Sequence, residues 1–253
     1  MNANLPPFVV PGGGQVKAGA ERSGGCMAPV VCSGRIGGMI ALRLVVLDCD
    51  GVMFDSREAN RAYYGHLRAR FGHPPLTEQE VAFVHAHPAP ESVPFIFREW
   101  PQQIGPVNAY RSSLDYAPFL RQMAMEPDLL EFLAAVRPPL LTAISTNRTS
   151  TMAAVLDTFA LRRHFDLVVT ALDVEHPKPH PEALLRILSR FGVRAEEGIF
   201  VGDTQVDVDH AAAVGMPMAA FRSPDLPAAW HVSSFREVLR LPPFGALAGL
   251  ARR

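Results

Sequence analysis

Lysine is nearly missing from this chain. It occurs twice, as Lys17 and Lys178, against 22 arginines. Wherever a generic positive charge would serve, arginine stands. A surviving lysine therefore marks a place where a compact ammonium fits and a planar guanidinium does not. Lys17 lies in a Gly-rich stretch, which leaves Lys178 as the informative one. Cysteine is scarce as well: Cys26, Cys32 and Cys49 are an odd number with no metal-finger spacing. A reducing, cytoplasmic setting is the simplest reading of that usage. No apolar run approaches the ~20 residues of a membrane helix, so no membrane partner is expected. The opening residues Met1–Pro7 lack the basic start and apolar core of a secretory signal. Neither sign of charge dominates: the formal net charge is −1, which gives no electrostatic case for nucleic acid.

What is present is enough for a sizeable core. A chain of 253 residues with 48% hydrophobic content suits one soluble domain, or one domain carrying an insertion. Residues 1–38 hold Gly12-Gly13-Gly14, Gly24-Gly25 and Gly37-Gly38 with little periodicity, and read as a disordered leader. Met39 begins the first segment with a folded pattern and is the expected native start.

Two textures follow. Apolar strands are expected at 43–47, 140–145, 165–170, 198–202 and 217–221. Helical patterns lie between them at about 128–137, 150–160, 181–191 and 205–214. This alternation predicts an α/β fold, a parallel sheet with helices on both faces. Residues 39–56 and 127–245 make up that core. Residues 57–126 show no strand pattern. Helices are expected at 57–71, after a capping box at Thr77-Glu78-Gln79-Glu80, near 91–100 and over 107–124. An all-helical insertion of about 70 residues thus interrupts the sheet after its first strand.

The strand ends carry the chemistry. The apolar run Leu44–Leu47 stops at Asp48-Cys49-Asp50-Gly51, and strand alternation would point both carboxylates one way. Two acids at a strand end suit a metal, a covalent step and proton transfer in one site. The second core strand runs into Ser145-Thr146-Asn147, and another ends in Gly202-Asp203-Thr204. Lys178 sits in Pro177-Lys178-Pro179-His180-Pro181, a loop stiffened by proline before a helix. In open α/β sheets, ligands bind outside the carboxyl ends of the strands, so these residues converge on one edge.

In order and position, these segments resemble the four motifs of the haloacid dehalogenase-like (HAD) hydrolases. Asp48–Ser56 is similar to the first, Thr146-Asn147 to the second, Lys178–Pro181 to the third and Gly202–Asp207 to the fourth. The resemblance covers about residues 42–240, and helical-capped, phosphoglycolate phosphatase-like members fit the pattern best. It implies a Rossmann-like core with an α-helical cap and a phosphomonoester hydrolase acting on a small phosphorylated metabolite. Asp48 is then the nucleophile that becomes an aspartyl phosphate. Asp50 is the general acid and later the base. Thr146 and the backbone N–H groups at Asp50 and Gly51 would bind the phosphoryl group, with Asn147 touching substrate. Lys178 would neutralise that group and Asp48 together. A hard cation, Mg²⁺, would be held by Asp48, Asp203 and the Asp50 carbonyl. Asp207 would orient Lys178 or a metal-bound water.

Asp50 argues against dehalogenation, whose halide leaves without a proton. A lysine-free insertion excludes a cap Schiff base. Absent membrane spans exclude an ion pump. A β-phosphoglucomutase-like transfer remains the alternative, since Arg57, Arg61, Arg68, Arg70, Arg98, Arg111 and Arg121 supply cap cations. A non-catalytic binding protein on the same scaffold is disfavoured by four intact motifs. Cys49 reads as packing and Arg148 as a surface residue. His180 is the histidine expected nearest the site, and Tyr63-Tyr64 and Phe95-Ile96-Phe97 read as cap core.

Overall fold

A computed structural model of the chain describes residues 41–245. The expected leader over 1–38 and the expected start at Met39 lie outside them. The first strand, β1 (Leu44–Leu47), is four apolar residues with no accessible surface, as suits a strand covered on both faces. A short strand β2 (Phe54–Asp55) leads into the helices α1 (Arg57–Arg70), α2 (Glu78–Ala86), α3 (Ala89–Ile96), α4 (Ile104–Ser113) and α5 (Ala117–Leu120). Another short strand, β3 (Ala124–Met125), returns to the core. There follow α6 (Leu129–Val136), β4 (Leu141–Ser145), α7 (Met152–Thr158), β5 (Leu167–Val169) and α8 (Glu182–Phe191). The chain continues through β6 (Gly198–Gly202), α9 (Gln205–Ala212), β7 (Met218–Phe221), β8 (Trp230–Val232) and α10 (Phe235–Val238).

The main sheet has the order β5-β4-β1-β6-β7-β8 and every pairing in it is parallel. β1 lies in the middle. The chain first builds outward through β4 and β5, then returns to the other side of β1 with β6. Such a reversal opens a crevice at the carboxyl edge between the two halves. Register makes it sharp: Leu47 is level with Ile144 and with Val201. The residues just beyond, Asp48, Ser145-Thr146 and Gly202-Asp203, therefore leave the sheet side by side.

Strand alternation sorts the core into two layers. Val45 and Leu47 pack with Leu129, Phe132, Met152 and Phe235 from α6, α7 and α10. Leu44 and Val46 pack with Leu184, Ile187 and Ala211 from α8 and α9. The α-helical insertion keeps a cluster of its own around Tyr63, Leu67, Val84, Ile96, Phe97 and Val107. The expected parallel sheet with helices on both faces is thus the fold.

Details differ from the sequence reading. The insertion was expected to contain no strand, but β3 pairs antiparallel with β2 in a two-residue ribbon. β8, unexpected, adds a sixth strand beside β7. α3 begins at Ala89 and ends at Ile96, short of the expected 100, with Pro94 inside its last turn. The helix expected over 107–124 is two helices, parted where Leu114 turns to an extended conformation. The capping box at Thr77 and Glu80 is formed in both directions. Among the described residues no helix is long and apolar enough to cross a membrane.

Candidate active site

Asp48 emerges from β1 buried, its N–H donating to the Val201 carbonyl at 2.9 Å. The backbone turns at once through Gly51, which has φ +78° and would drive a Cβ into the Asp203 carboxylate. From the loop ahead of α8, Lys178 reaches back into the crevice. Its Nζ lies 2.9 Å from Asp48 Oδ1 and 2.6 Å from Asp207 Oδ1. The other Asp207 oxygen accepts from the Thr204 hydroxyl at 2.8 Å and from the Thr204 and Asp203 N–H groups at 3.1 and 3.2 Å. Asp207 is therefore both the third residue of α9's capping box and the anchor of the lysine. Its close approach needs Gly202, where a Cβ would stand 2.5 Å from the Asp207 Cβ.

Burial pushes the Asp48 carboxyl up to about 8, with Asp207, Asp203 and Asp50 adding to it and Lys178 opposing. Burial also raises Asp203. At Asp207 burial works upward too, but Lys178 outweighs it and holds that carboxyl below its usual value. Asp203 Oδ1 is buried with no hydrogen-bond partner among the described residues. Asp48, Asp203 and Asp207 each offer an oxygen within 4.8 Å of the others. Because both Asp207 oxygens are taken, the free carboxylate valence belongs to Asp48 and Asp203. Oxygen ligands, an orphaned acceptor and carboxyls raised by burial are what a hard divalent cation would satisfy.

Thr146, buried one residue beyond β4, accepts from the Arg148 N–H at 3.1 Å. Together Asp48, Asp50, Thr146 and Lys178 floor a cavity of about 450 Å³ walled on the far side by the helical insertion. A family model described as haloacid dehalogenase-like hydrolase matches residues 45–221, most of this chain. The chain belongs to the haloacid dehalogenase-like hydrolases. A solved HAD-superfamily hydrolase of subfamily IA, variant 1, from Geobacter sulfurreducens is 36% identical to it, with a TM-score of 0.68 over 79% of this chain and 99% of that one. The phosphoglycolate phosphatase of Escherichia coli (strain K12) is 35% identical over 91 residues, 36% of this chain and 35% of that protein. That of Salmonella typhi is 36% identical over 74 residues, 29% of each. The chain thus matches about a third of these phosphatases' length.

Four residues of this hydrolase stand differently from the sequence reading. Arg148, read as a surface residue, is buried. Its Nε and one terminal nitrogen donate to the two Asp50 oxygens at 2.7 and 2.6 Å. Ser56, at the start of α1, donates to Asp50 as well. Burial works to raise Asp50, but the Arg148 charge and hydrogen bonds outweigh it and hold the carboxyl below its ordinary value. Asn147, expected to touch substrate, has its amide engaged elsewhere. It donates to the Ala86 and Lys178 carbonyls and accepts from the Lys178 N–H, all at 3.1 Å. It fixes the lysine loop against the end of α2, with no amide hydrogen left for a phosphate. His180, expected nearest the site, has a ring that is half exposed and faces Glu182 at 3.9 Å. His85 of α2 takes its place, 3.6 Å from Asp203 and hydrogen-bonded to Asn60 at 3.1 Å. The nearness of Arg148 to a strand-end threonine was the one available signal; His85 had none, because helical spacing does not reveal what stands opposite. Cys49 sits in the core, as read, while Tyr63 and Tyr64 both pack the insertion and line the cavity.

Proposed function

We propose that this hydrolase is a Mg²⁺-dependent phosphatase of small phosphorylated metabolites, working through an aspartyl phosphate on Asp48. The observation that carries this reading is the Lys178 contact with Asp48 at the cavity floor, beside an Asp203 oxygen that lacks a partner. In this reading 39–56 and 127–245 supply the chemistry, 57–126 covers the leaving group, and the setting is cytoplasmic.

Asp48 Oδ attacks phosphorus, the P–O ester bond breaks, and the leaving oxygen takes a proton from Asp50. Water then attacks the acyl phosphate, gives its proton to Asp50, and releases phosphate with Asp48 restored. Lys178 holds charge at Asp48 and at the incoming phosphoryl oxygens, while Thr146 and the N–H groups of the Asp50-Gly51 turn donate to them. Mg²⁺, held by Asp48, Asp203 and the Asp50 carbonyl, would neutralise anionic nucleophile and phosphate together. The Arg148 fork keeps Asp50 an anion, the form that serves as base for water. Its acid form requires Arg148 to loosen its hold when substrate enters.

Hydrolysis of p-nitrophenyl phosphate tests the reading. Activity should disappear in excess chelator and in Asp48→Asn. Full activity in that variant would sink the assignment. With a sugar phosphate, phosphate should be released without isomerisation of the sugar; isomerisation would instead select the mutase.

A further inference from the structure

The loop that buries Lys178 in the crevice carries a second group of metal-binding side chains on its exposed side. His176, His180 and Glu182 each place a nitrogen or oxygen within 4.8 Å of the other two. Glu182 Oε2 lies 3.3 Å from His176 Nδ1 and 3.9 Å from His180 Nδ1, and the two rings are 4.6 Å apart between centroids. Ligands about 2.0–2.1 Å from a tetrahedral Zn²⁺ stand roughly 3.3 Å from one another. The first separation already has that value, and the second needs to close by roughly half an ångström.

The loop holds these groups in place. Prolines at 177, 179 and 181 restrict the backbone between them, and the His180 N–H closes a turn onto the Pro177 carbonyl at 3.0 Å. Glu182 Oε1 accepts from the Glu175 N–H at 2.8 Å, and Oε2 from the His176 N–H at 3.0 Å. Each carboxylate oxygen has a second lone pair, so the acid can still take a cation. His180 Nδ1 receives the Glu182 N–H over a long 3.3 Å, a bond that a metal would replace. On its inner side the loop is fastened by the Asn147 amide at Lys178 and by His210 at the His180 carbonyl. On its exposed side the tie is Glu182. Two imidazoles and a carboxylate suit Zn²⁺, whereas Mg²⁺ takes oxygen ligands. The Asp48 and Asp203 carboxylates have the opposite preference, so the two places sort the two ions.

We propose that His176, His180 and Glu182 bind Zn²⁺, and that the bound ion fixes the loop behind Lys178. Three protein ligands leave the fourth position to water. The site is separate from the one proposed for Mg²⁺ and stands whichever reaction the chain performs.

The test titrates Zn²⁺ into the full chain by calorimetry, with Mg²⁺ in excess throughout. A single Zn²⁺ should bind with a Kd on the order of micromolar, weaker than a four-ligand structural site. His176→Gln and His180→Gln should each weaken it by roughly tenfold or more, and Asp203→Asn should leave it unchanged. In scanning fluorimetry, Zn²⁺ at about a hundredfold excess over its Kd should add roughly 5–10 °C to the midpoint seen with Mg²⁺ alone. The midpoints of the two histidine variants without Zn²⁺ show that each is folded, so a lost response is a lost ligand. Hydrogen exchange over 175–182 should slow with Zn²⁺ in the parent and not in His176→Gln. No binding in the presence of Mg²⁺, binding untouched in both histidine variants, or binding lost in Asp203→Asn would overturn the site. Exchange unchanged on binding would overturn the fixing of the loop.

Discussion

Arg148→Met isolates the contact that the sequence reading missed. It takes two buried, charge-assisted hydrogen bonds of 2.7 and 2.6 Å away from Asp50 and leaves that carboxylate with Ser56 alone. Removing one partner of a buried pair costs about 3–5 kcal/mol, because the remaining charge is left uncompensated. At this chain length each kcal/mol moves the melting midpoint by roughly 2–4 °C, so a fall of about 6–20 °C is expected at pH 7. Arg148 holds Asp50 below its ordinary value, so the pair stabilises the fold above the unfolded carboxyl pKa of about 3.9. That stabilisation is lost as pH falls through the lower folded value. In the variant, burial acts with little to oppose it and Asp50 takes its proton at higher pH. The cost of the substitution should therefore shrink between pH 7 and pH 5. Denaturant titrations of Arg148→Met, Asp50→Asn and the double variant complete a cycle. Strong coupling at pH 7 is expected. Additivity within about 0.5 kcal/mol would refute the reasoning, since residues that do not interact add to that accuracy.

Two further outcomes follow from the same geometry. His210 is wholly buried, donates from Nδ1 to the His180 carbonyl at 2.8 Å and accepts at Nε2 from Ser145 at 3.0 Å, the tautomer those bonds require. Burial, helped by the Lys178 charge and opposed by Asp207 and the backbone carbonyls of His180 and Pro179, pushes it down to about 4. The unfolded histidine binds its proton near pH 6.5, so the fold should lose about 3 kcal/mol between pH 6.5 and 4 on this account. His210→Asn keeps the donor to His180 and should lose less over that window; parallel stability-against-pH curves would exclude the mechanism. Asp203→Asn relieves carboxyl crowding, so in chelator it should melt no lower than the parent. It should also lose the rise in midpoint that Mg²⁺ gives the parent, and an unchanged rise in scanning fluorimetry would count against Asp203 as a ligand.

The sheet was legible because its strands are continuous apolar runs. The edge was legible because three of the runs, β1, β4 and β6, stop abruptly at an acid, a threonine or a Gly-Asp turn. β8 was hidden because three residues, Trp230-His231-Val232, are too few to establish a period and owe their strand form to pairing with β7. The β2–β3 ribbon is two residues wide, and its strands come from either end of the insertion. Helix ends in the insertion shifted where prolines and tertiary packing decide the last turn. Lys178 could be picked out by composition alone. Arg148 could not, since one arginine among many is noticed only when its partner, 98 residues earlier, is seen beside it. His85 and Arg111, which line the cavity, belong to the same class: sequence lists the cations of the insertion, and only folding tells which of them face it.

Asp207 has a consequence beyond the site. The same carboxylate starts α9 and holds the lysine, so that helix cannot form properly without also setting the charge beside Asp48. A chain damaged there should be lost to misfolding before it is ever seen as a slow enzyme. In cells, variants at this position would register as missing protein, and selection on abundance would guard the chemistry as a by-product.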